Sequence, residues 1–323
     1  MKLPKLNNRS VLRASVAGVV ATMFAMSAAA ETNVEFIAGV IGDPFYNSME
    51  CGAREAAAEF GVTLSWTGPT DWDIAKQQPF IDAAVQNAPD AMIIAPTDSR
   101  ALITQIQQLV SDGIPVITVD APLDEPVEVQ TIQSNHYEGG KAAAEAMKIV
   151  AGTGGSYIVL GLKPGLPDID ARVNGFTENL GGGNILPTLY PETSTSRASE
   201  QVAAAILSTP DLKGIYATHF SAATGAAAAI LQAGRQGDIK LVAFDAAPQQ
   251  VRDLKDGIYD ALVVQEPHNM GYESVKLAAQ IASGEVDLAS VEHDNFLGSV
   301  IATRDNMNDA DVAKFFYAAA CKR

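Results

Sequence analysis

The chain has 323 residues and a formal charge of −16, with 38 acidic against 22 basic side chains. That length holds two domains of ordinary size, and an acidic surface without a basic cluster sets nucleic acid aside as a partner, because it repels phosphate backbones. The two cysteines, Cys51 and Cys321, are too few for a disulfide scaffold but enough for one bridge in an oxidising compartment.

Residues 1–30 read as a signal peptide. Lys2, Lys5, Arg9 and Arg13 form a basic start, and residues 16–26 are apolar but short for a bilayer span. Ala28-Ala29-Ala30 offers a small-x-small cleavage site, so the mature chain is expected to begin near Glu31, in the periplasm. Its removal makes the remainder four charges more negative. No cysteine follows the apolar run, which argues against a lipid anchor; an uncleaved membrane anchor is the alternative.

A strand is predicted over 34–41 and a helix from Pro44 to Phe60, with Asp43 as N-cap and Gly61 as the stop. Asp43, Phe45 and Tyr46 then stand at the carboxyl end of a strand, where open α/β sheets bind ligands. A carboxylate beside two rings suits a sugar, since it accepts from hydroxyls while the rings face the C–H side. An ordinary strand–helix corner with aromatics plugging the core is the other reading.

Further along, strands are predicted at 62–66, 91–95 and 114–120, with helices at 74–87 and 100–112 between them; Trp72 sits in the loop 67–73. Strands apolar throughout, alternating with helices, mean a parallel sheet covered on both faces. The pattern then restarts. A helix over 135–150 leads to a strand at 156–160. Helices at 171–180, 197–207, 222–234 and 248–256 interleave with strands near 188–190, 214–218, 239–244 and 260–264. A helix at 270–283, a strand around 297–302 and a terminal helix at 310–320 complete the chain. The fold class is α/β, with two doubly wound parallel-sheet lobes and no Pro/Gly/Ser-rich linker between them.

Catalytic patterns are missing from the sequence. Gly152-Thr153-Gly154-Gly155 is followed by no Gly-Lys-Ser/Thr and does not open a helix, so it reads as a helix stop and turn. His136, His219, His268 and His293 are scattered without zinc spacing, and no Gly-x-Ser-x-Gly elbow occurs. The expectation is no enzyme, no cofactor and no metal.

Seven motifs in order resemble the type I periplasmic sugar-binding proteins of ABC transporters, the ribose- and galactose-binding family. They are Asp-Pro-Phe-Tyr (43–46), Pro-Thr-Asp-Ser (96–99), Gly-Ile-Pro-Val-Ile-Thr-Val-Asp (113–120), Asn-His-Tyr-Glu-Gly-Gly-Lys (135–141), Pro-Asp-Ile-Asp-Ala-Arg (167–172), Val-Ala-Phe-Asp (242–245) and Val-Gln-Glu-Pro (264–267). The resemblance implies a three-stranded hinge between an N-terminal lobe (31–134 plus 266–294) and a C-terminal lobe (135–265 plus 295–323). It places ligand contacts on Asp43, Phe45, Tyr46 and Asp120 in the first lobe. In the second they fall on Asp168, Arg172, Asp245 and Gln265, with His219 where the family has asparagine.

The family's second-lobe aromatic, expected near 193–197, has no counterpart here. Trp72 could supply that ring or pack on its own loop. The resemblance further implies a monomer that captures a monosaccharide, with pentose or deoxyhexose favoured, by hinge closure and delivers it to an ABC permease. A polyol, a furanosyl autoinducer or a role in feeding a chemoreceptor are the alternatives. The regulator domains that share this fold carry a helix-turn-helix where this chain has a signal peptide. The terminal helix runs past the family's usual end, so a Cys51–Cys321 bridge would staple it to the first lobe; a buried Cys51 thiol and a frayed Cys321 are the alternative.

Overall fold

A computed structural model describes Met1 and residues 32–321, so the expected signal peptide and its cleavage site lie outside the described residues. The first half runs β1 (Thr32–Ile37), α1 (Pro44–Phe60), β2 (Val62–Thr67), α2 (Ile74–Gln86), β3 (Ala91–Ile94), α3 (Ile103–Ser111), β4 (Val116–Val119) and β5 (Gln130–Ser134). The second half follows with α4 (His136–Ala151), β6 (Ser156–Leu160), α5 (Pro167–Asn179), β7 (Asn184–Ile185), α6 (Thr195–Ser208) and β8 (Leu212–Ala217). It continues through α7 (Phe220–Gln232), β9 (Lys240–Phe244), α8 (Pro248–Lys255) and β10 (Ala261–Val264). The chain returns by α9 (Pro267–Ala282) and β11 (Asp294–Leu297), then ends with β12 (Val300–Thr303) and α10 (Ala310–Ala313).

Two sheets result, ordered β2-β1-β3-β4-β5-β11 and β7-β6-β8-β9-β10-β12. Every pairing between named strands is parallel except that of β12 with β10. Each order reverses direction beside its first strand, which opens a crevice at the carboxyl ends of the strands. Burial explains the composition: all of β3, β4, β6 and β10 is buried, as strands covered on both faces must be.

Helix pairs seal the outer faces, and glycine lets them touch. A Cβ at Gly52 of α1 would stand 1.9 Å from the carbonyl oxygen of His268, and one at Gly271 of α9 2.0 Å from that of Met49. The second half repeats the device. A Cβ at Gly140 of α4 would stand 2.1 Å from the Arg172 carbonyl oxygen, and one at Gly175 of α5 2.1 Å from that of Tyr137. Backbones in such contact fix where α5 sits, and with it Arg172.

The strand expected near 188–190 is β7, at Asn184–Ile185, and the fold departs from the sequence reading in four further places that bear on the site. Gln130–Ser134 is a strand that its polar residues concealed; Thr131 meets Thr118 Oγ1 at 2.8 Å, and Ser134 donates to Gln265 Oε1 at 2.7 Å, so their burial is satisfied. Helix α5 starts at Pro167 rather than 171, since proline serves well at the first helical position. Residues 294–297 pair with β5 in register Asp294↔Thr131 to Leu297↔Ser134, so residues 295–297 belong to the first sheet, not with 298–323, and the third crossing falls at Gly298-Ser299. Finally, the terminal helix stops at Ala313, because the N–H groups of Tyr317 and Ala318 donate to Ala246 and Ser48 instead of to the preceding turn.

Candidate ligand-binding site

The sheet ends carry the site. Asp43 caps α1 by accepting from the Phe45 N–H at 2.8 Å, which turns the chain so that Phe45 and Tyr46 are buried just inside the helix. The Tyr46 hydroxyl donates to Asp120 Oδ2 at 2.5 Å, joining the first helix to the end of β4. Trp72 lies 6.4 Å from the Tyr46 ring, and a Cβ at Gly39 would strike both. Its ring thus packs over the end of β1 while the residue stays 49% exposed, leaving a face open.

In the second half, Asp168 and Arg172 stand four apart on α5, hence on one helical face. Arg172 is buried, with its guanidinium 3.9 Å above the Phe244 ring. It donates through Nη1 to the Thr218 carbonyl at 2.8 Å, through Nε to His136 Nδ1 at 3.3 Å and through Nη2 to Gln265 Oε1 at 3.4 Å. Gln265 in turn donates to Asp245 Oδ1 at 2.7 Å and accepts from Ser134, so the residue after β10 links both halves.

Asp120 and Asp245 occupy matching places, one residue past β4 and one past β9. Both adopt left-handed backbone, φ 70° and φ 77°, a conformation costly for most side chains but tolerated by aspartate. That turn lifts each carboxylate off its strand end.

The halves share one electrostatic field. Burial pushes the Asp120 carboxyl up to about 7, the Tyr46 hydrogen bond and Arg172 pull it back, and Asp168 and Asp245 push it up again. Asp43 is exposed at its surface yet crowded by protein, and its carboxyl is raised by desolvation first, with Asp245 adding to the rise. Burial, then Arg172, holds His219 down at about 4 and His136 well below the usual histidine range, so both rings are neutral at pH 7.

The structure brings all ten predicted ligand residues into one network of hydrogen bonds, ring contacts and charge interactions. His219 joins it through Arg172 alone, since its Nε2 meets the Glu192 carbonyl at 3.1 Å while Nδ1 is buried without a protein partner. Two further residues escaped sequence reasoning. His136 accepts from Arg172 at Nδ1, which leaves its buried Nε2 without a protein partner; the signal was its place at the first crossing. Tyr317 donates to Asp245 Oδ1 at 3.1 Å and meets the Phe45 ring edge-on at 5.6 Å. The Phe315-Phe316-Tyr317 cluster was its signal, hidden by the helix expected there.

Such an array offers donors on Arg172 and acceptors on Asp43, Asp120, Asp168 and Asp245. Vicinal hydroxyls, which donate and accept, can satisfy both sets. Among the described residues, no group of three His, Cys, Asp or Glu side chains is placed to hold a metal.

Residues 34–285 match the periplasmic binding protein domain. The chain belongs to the type I periplasmic sugar-binding family. Its members are solute-binding proteins, so this chain is a binding protein and not an enzyme. The ribose import binding protein RbsB of Salmonella typhimurium is 26% identical over 265 residues, which span 80% of this chain and 88% of that one. The D-apiose import binding protein of Actinobacillus succinogenes is 27% identical over 268 residues, 79% of this chain and 86% of that one. Among solved structures, an ABC transporter solute-binding protein from Agrobacterium vitis bound with α-D-tagatopyranose superposes with a TM-score of 0.81. It is 31% identical and covers 89% of this chain and 100% of its own.

Proposed function

We propose that this protein captures a neutral monosaccharide between its two halves and delivers it to an ABC permease from the periplasm, after cleavage of its signal peptide near Ala30. The observation that carries the reading is the convergence of Tyr46 and Asp120 from the first half with Arg172, Asp245 and Gln265 from the second, linked by hydrogen bonds and by charge. Four carboxylates around one guanidinium disfavour an anionic ligand such as a sugar phosphate and favour hydroxyls. Relatives named for ribose, apiose and bound tagatose support a small sugar, with pentose or deoxyhexose the preferred class.

A thermal-shift screen of pentoses, hexoses, deoxyhexoses, polyols and sugar phosphates tests this, since a ligand that binds only folded protein raises its apparent stability. At least one neutral monosaccharide should raise the transition, and the sugar phosphates should not. No shift with any neutral sugar would overturn the reading. Mass-spectrometric reading of the N-terminus of periplasmic protein should give a start at or near Glu31; a product retaining Met1 would refute the cleavage.

A further inference from the structure

After α10 the chain crosses from the second half to the first, and it does so beside the candidate site. The Tyr317 N–H donates to the Ala246 carbonyl at 3.1 Å and its hydroxyl to Asp245 at 3.1 Å, both in the second half. Its ring rests against Phe45 of α1, and the residue is 5% exposed. Over the next residues the chain takes partners on α1. The Ala318 N–H donates to Ser48 Oγ at 2.7 Å, Asn47 Nδ2 donates to the Ala319 carbonyl at 2.7 Å, and Cys321 hydrogen-bonds with Cys51. Asn47, Ser48 and Cys51 lie within one helical turn of each other on α1, so the segment docks along a single face.

We propose that residues 317–321 form a clasp joining the two halves, that Tyr317 is a wall of the binding site, and that a Cys51–Cys321 disulfide locks the clasp to α1. The part played by Tyr317 rests on the sugar-binding reading above; the lock does not. A ring pinned between Phe45 and Asp245 supplies from the C-terminus the aromatic surface that the 193–197 stretch lacks. Its hydroxyl, fixed on Asp245, helps set which oxygen of that carboxylate a ligand can reach.

Oxidation transfers two electrons and two protons to an exchange-competent disulfide of an oxidoreductase in the exported protein's compartment. Each cysteine loses its S–H bond, the Cys51–Cys321 S–S bond forms, and the oxidant leaves as a dithiol. Burial, and then Cys321, pushes the docked Cys51 thiol up to about 12, so it is a poor thiolate once the clasp is seated.

Protein purified without reductant tests the lock directly. Its intact mass should rise by about 2 Da on reduction, and no thiol should alkylate in denaturant beforehand. Two alkylated thiols in unreduced protein would overturn the lock. In the C51S/C321S protein, amide exchange at Tyr317 and Ala318 should quicken by about tenfold or more, and unchanged exchange would refute the clasp. For Tyr317, calorimetric titration with the sugar found by screening should show Tyr317→Ala about tenfold weaker and Tyr317→Phe a few-fold weaker. If Tyr317→Ala does not fold, Tyr317→Leu decides, because it keeps the bulk and removes the ring. Unchanged affinity in the deciding variant would remove Tyr317 from the site. Should wild-type protein bind no neutral sugar, the functional reading fails and Tyr317's role with it, while the mass and exchange measurements still decide the clasp.

Discussion

On the proposed reading, Arg172 serves structure and binding together. Three of its donors hold Thr218, His136 and Gln265, and its plane covers Phe244, so a surface pairing with Asp168 or Asp170 is ruled out. Five N–H groups leave it capacity for a ligand oxygen. Hydrogen bonds to a charged donor contribute about 1.5–3 kcal/mol each, so Arg172→Ala should lose at least about 2 kcal/mol, or roughly thirtyfold in affinity. Arg172→Lys should recover little, because a point ammonium cannot reproduce the planar fork. Calorimetry on folded variants checks both. Asp120 gives a second prediction, in pH. Its folded carboxyl is raised from 3.8 to about 7, so between those values the folded state binds the extra proton. Its contribution therefore stabilises as pH falls from 7 toward 4 and is lost as pH rises through 7. The neutral histidines His136 and His219 act the other way below about 6.5, the usual histidine value, so the clean measurement is a difference. Asp120→Asn should be more stable than wild type at pH 8 by at least about 1 kcal/mol, and that advantage should shrink toward pH 5 in urea titrations without sugar. An advantage independent of pH would show that Asp120 does not titrate in this window.

Helices α4 and α5 set where that arginine stands, and glycine sets how close they come. A methyl at Gly140 would press on the Arg172 carbonyl itself, so Gly140→Ala should push α5 outward. Overpacking of this kind costs about 1–3 kcal/mol, and here affinity should fall along with stability. Gly154→Ala, where a Cβ meets open space, should leave stability level or slightly raised, by up to about 1 kcal/mol. Paired urea and sugar titrations of the two variants test this. The same elements show what could be read before folding. Apolar runs such as Ala91–Ile94 and Val116–Val119 declared the sheets, and Asp43-Pro44 declared the start of α1, since burial and capping are local demands. Gln130–Ser134 did not declare itself, because its polar side chains are satisfied by Thr118 and Gln265 far along the chain. Nor did residues 314–321, whose aromatic run suits a helix until Ala246 and Ser48 claim its N–H groups. Nearest-neighbour pattern reveals what neighbours decide. Of the candidate site, Asp43 was legible from its strand–helix corner, its other Asp and Arg residues only through the order of motifs across the whole chain, and Tyr317, outside every motif, stayed hidden.

At the scale of the whole molecule, the two halves meet through three short crossings. One residue separates β5 from α4, two separate β10 from α9, and two separate β11 from β12. Ser134 at the first crossing donates to Gln265 at the second, which links those two crossings directly. Links this short and parallel allow a bend while resisting twist, so we expect ligand to act by rigid-body closure. The driving force must be differential contact: a sugar held by Asp120 and Tyr46 alone stabilises both states, whereas one that also reaches Arg172 and Asp245 favours the closed state. Small-angle scattering should therefore show the radius of gyration falling as sugar is added to saturation. The C-terminal clasp adds a further restraint, because Tyr317 and Cys321 grip opposite halves within five residues. A locked clasp limits how far the halves part, so the fall should be larger in C51S/C321S protein than in oxidised wild type. Equal changes in the two proteins would mean that the clasp does not limit opening. A profile unchanged at saturation in both would mean a fixed cleft, in which sugar enters without movement of the halves.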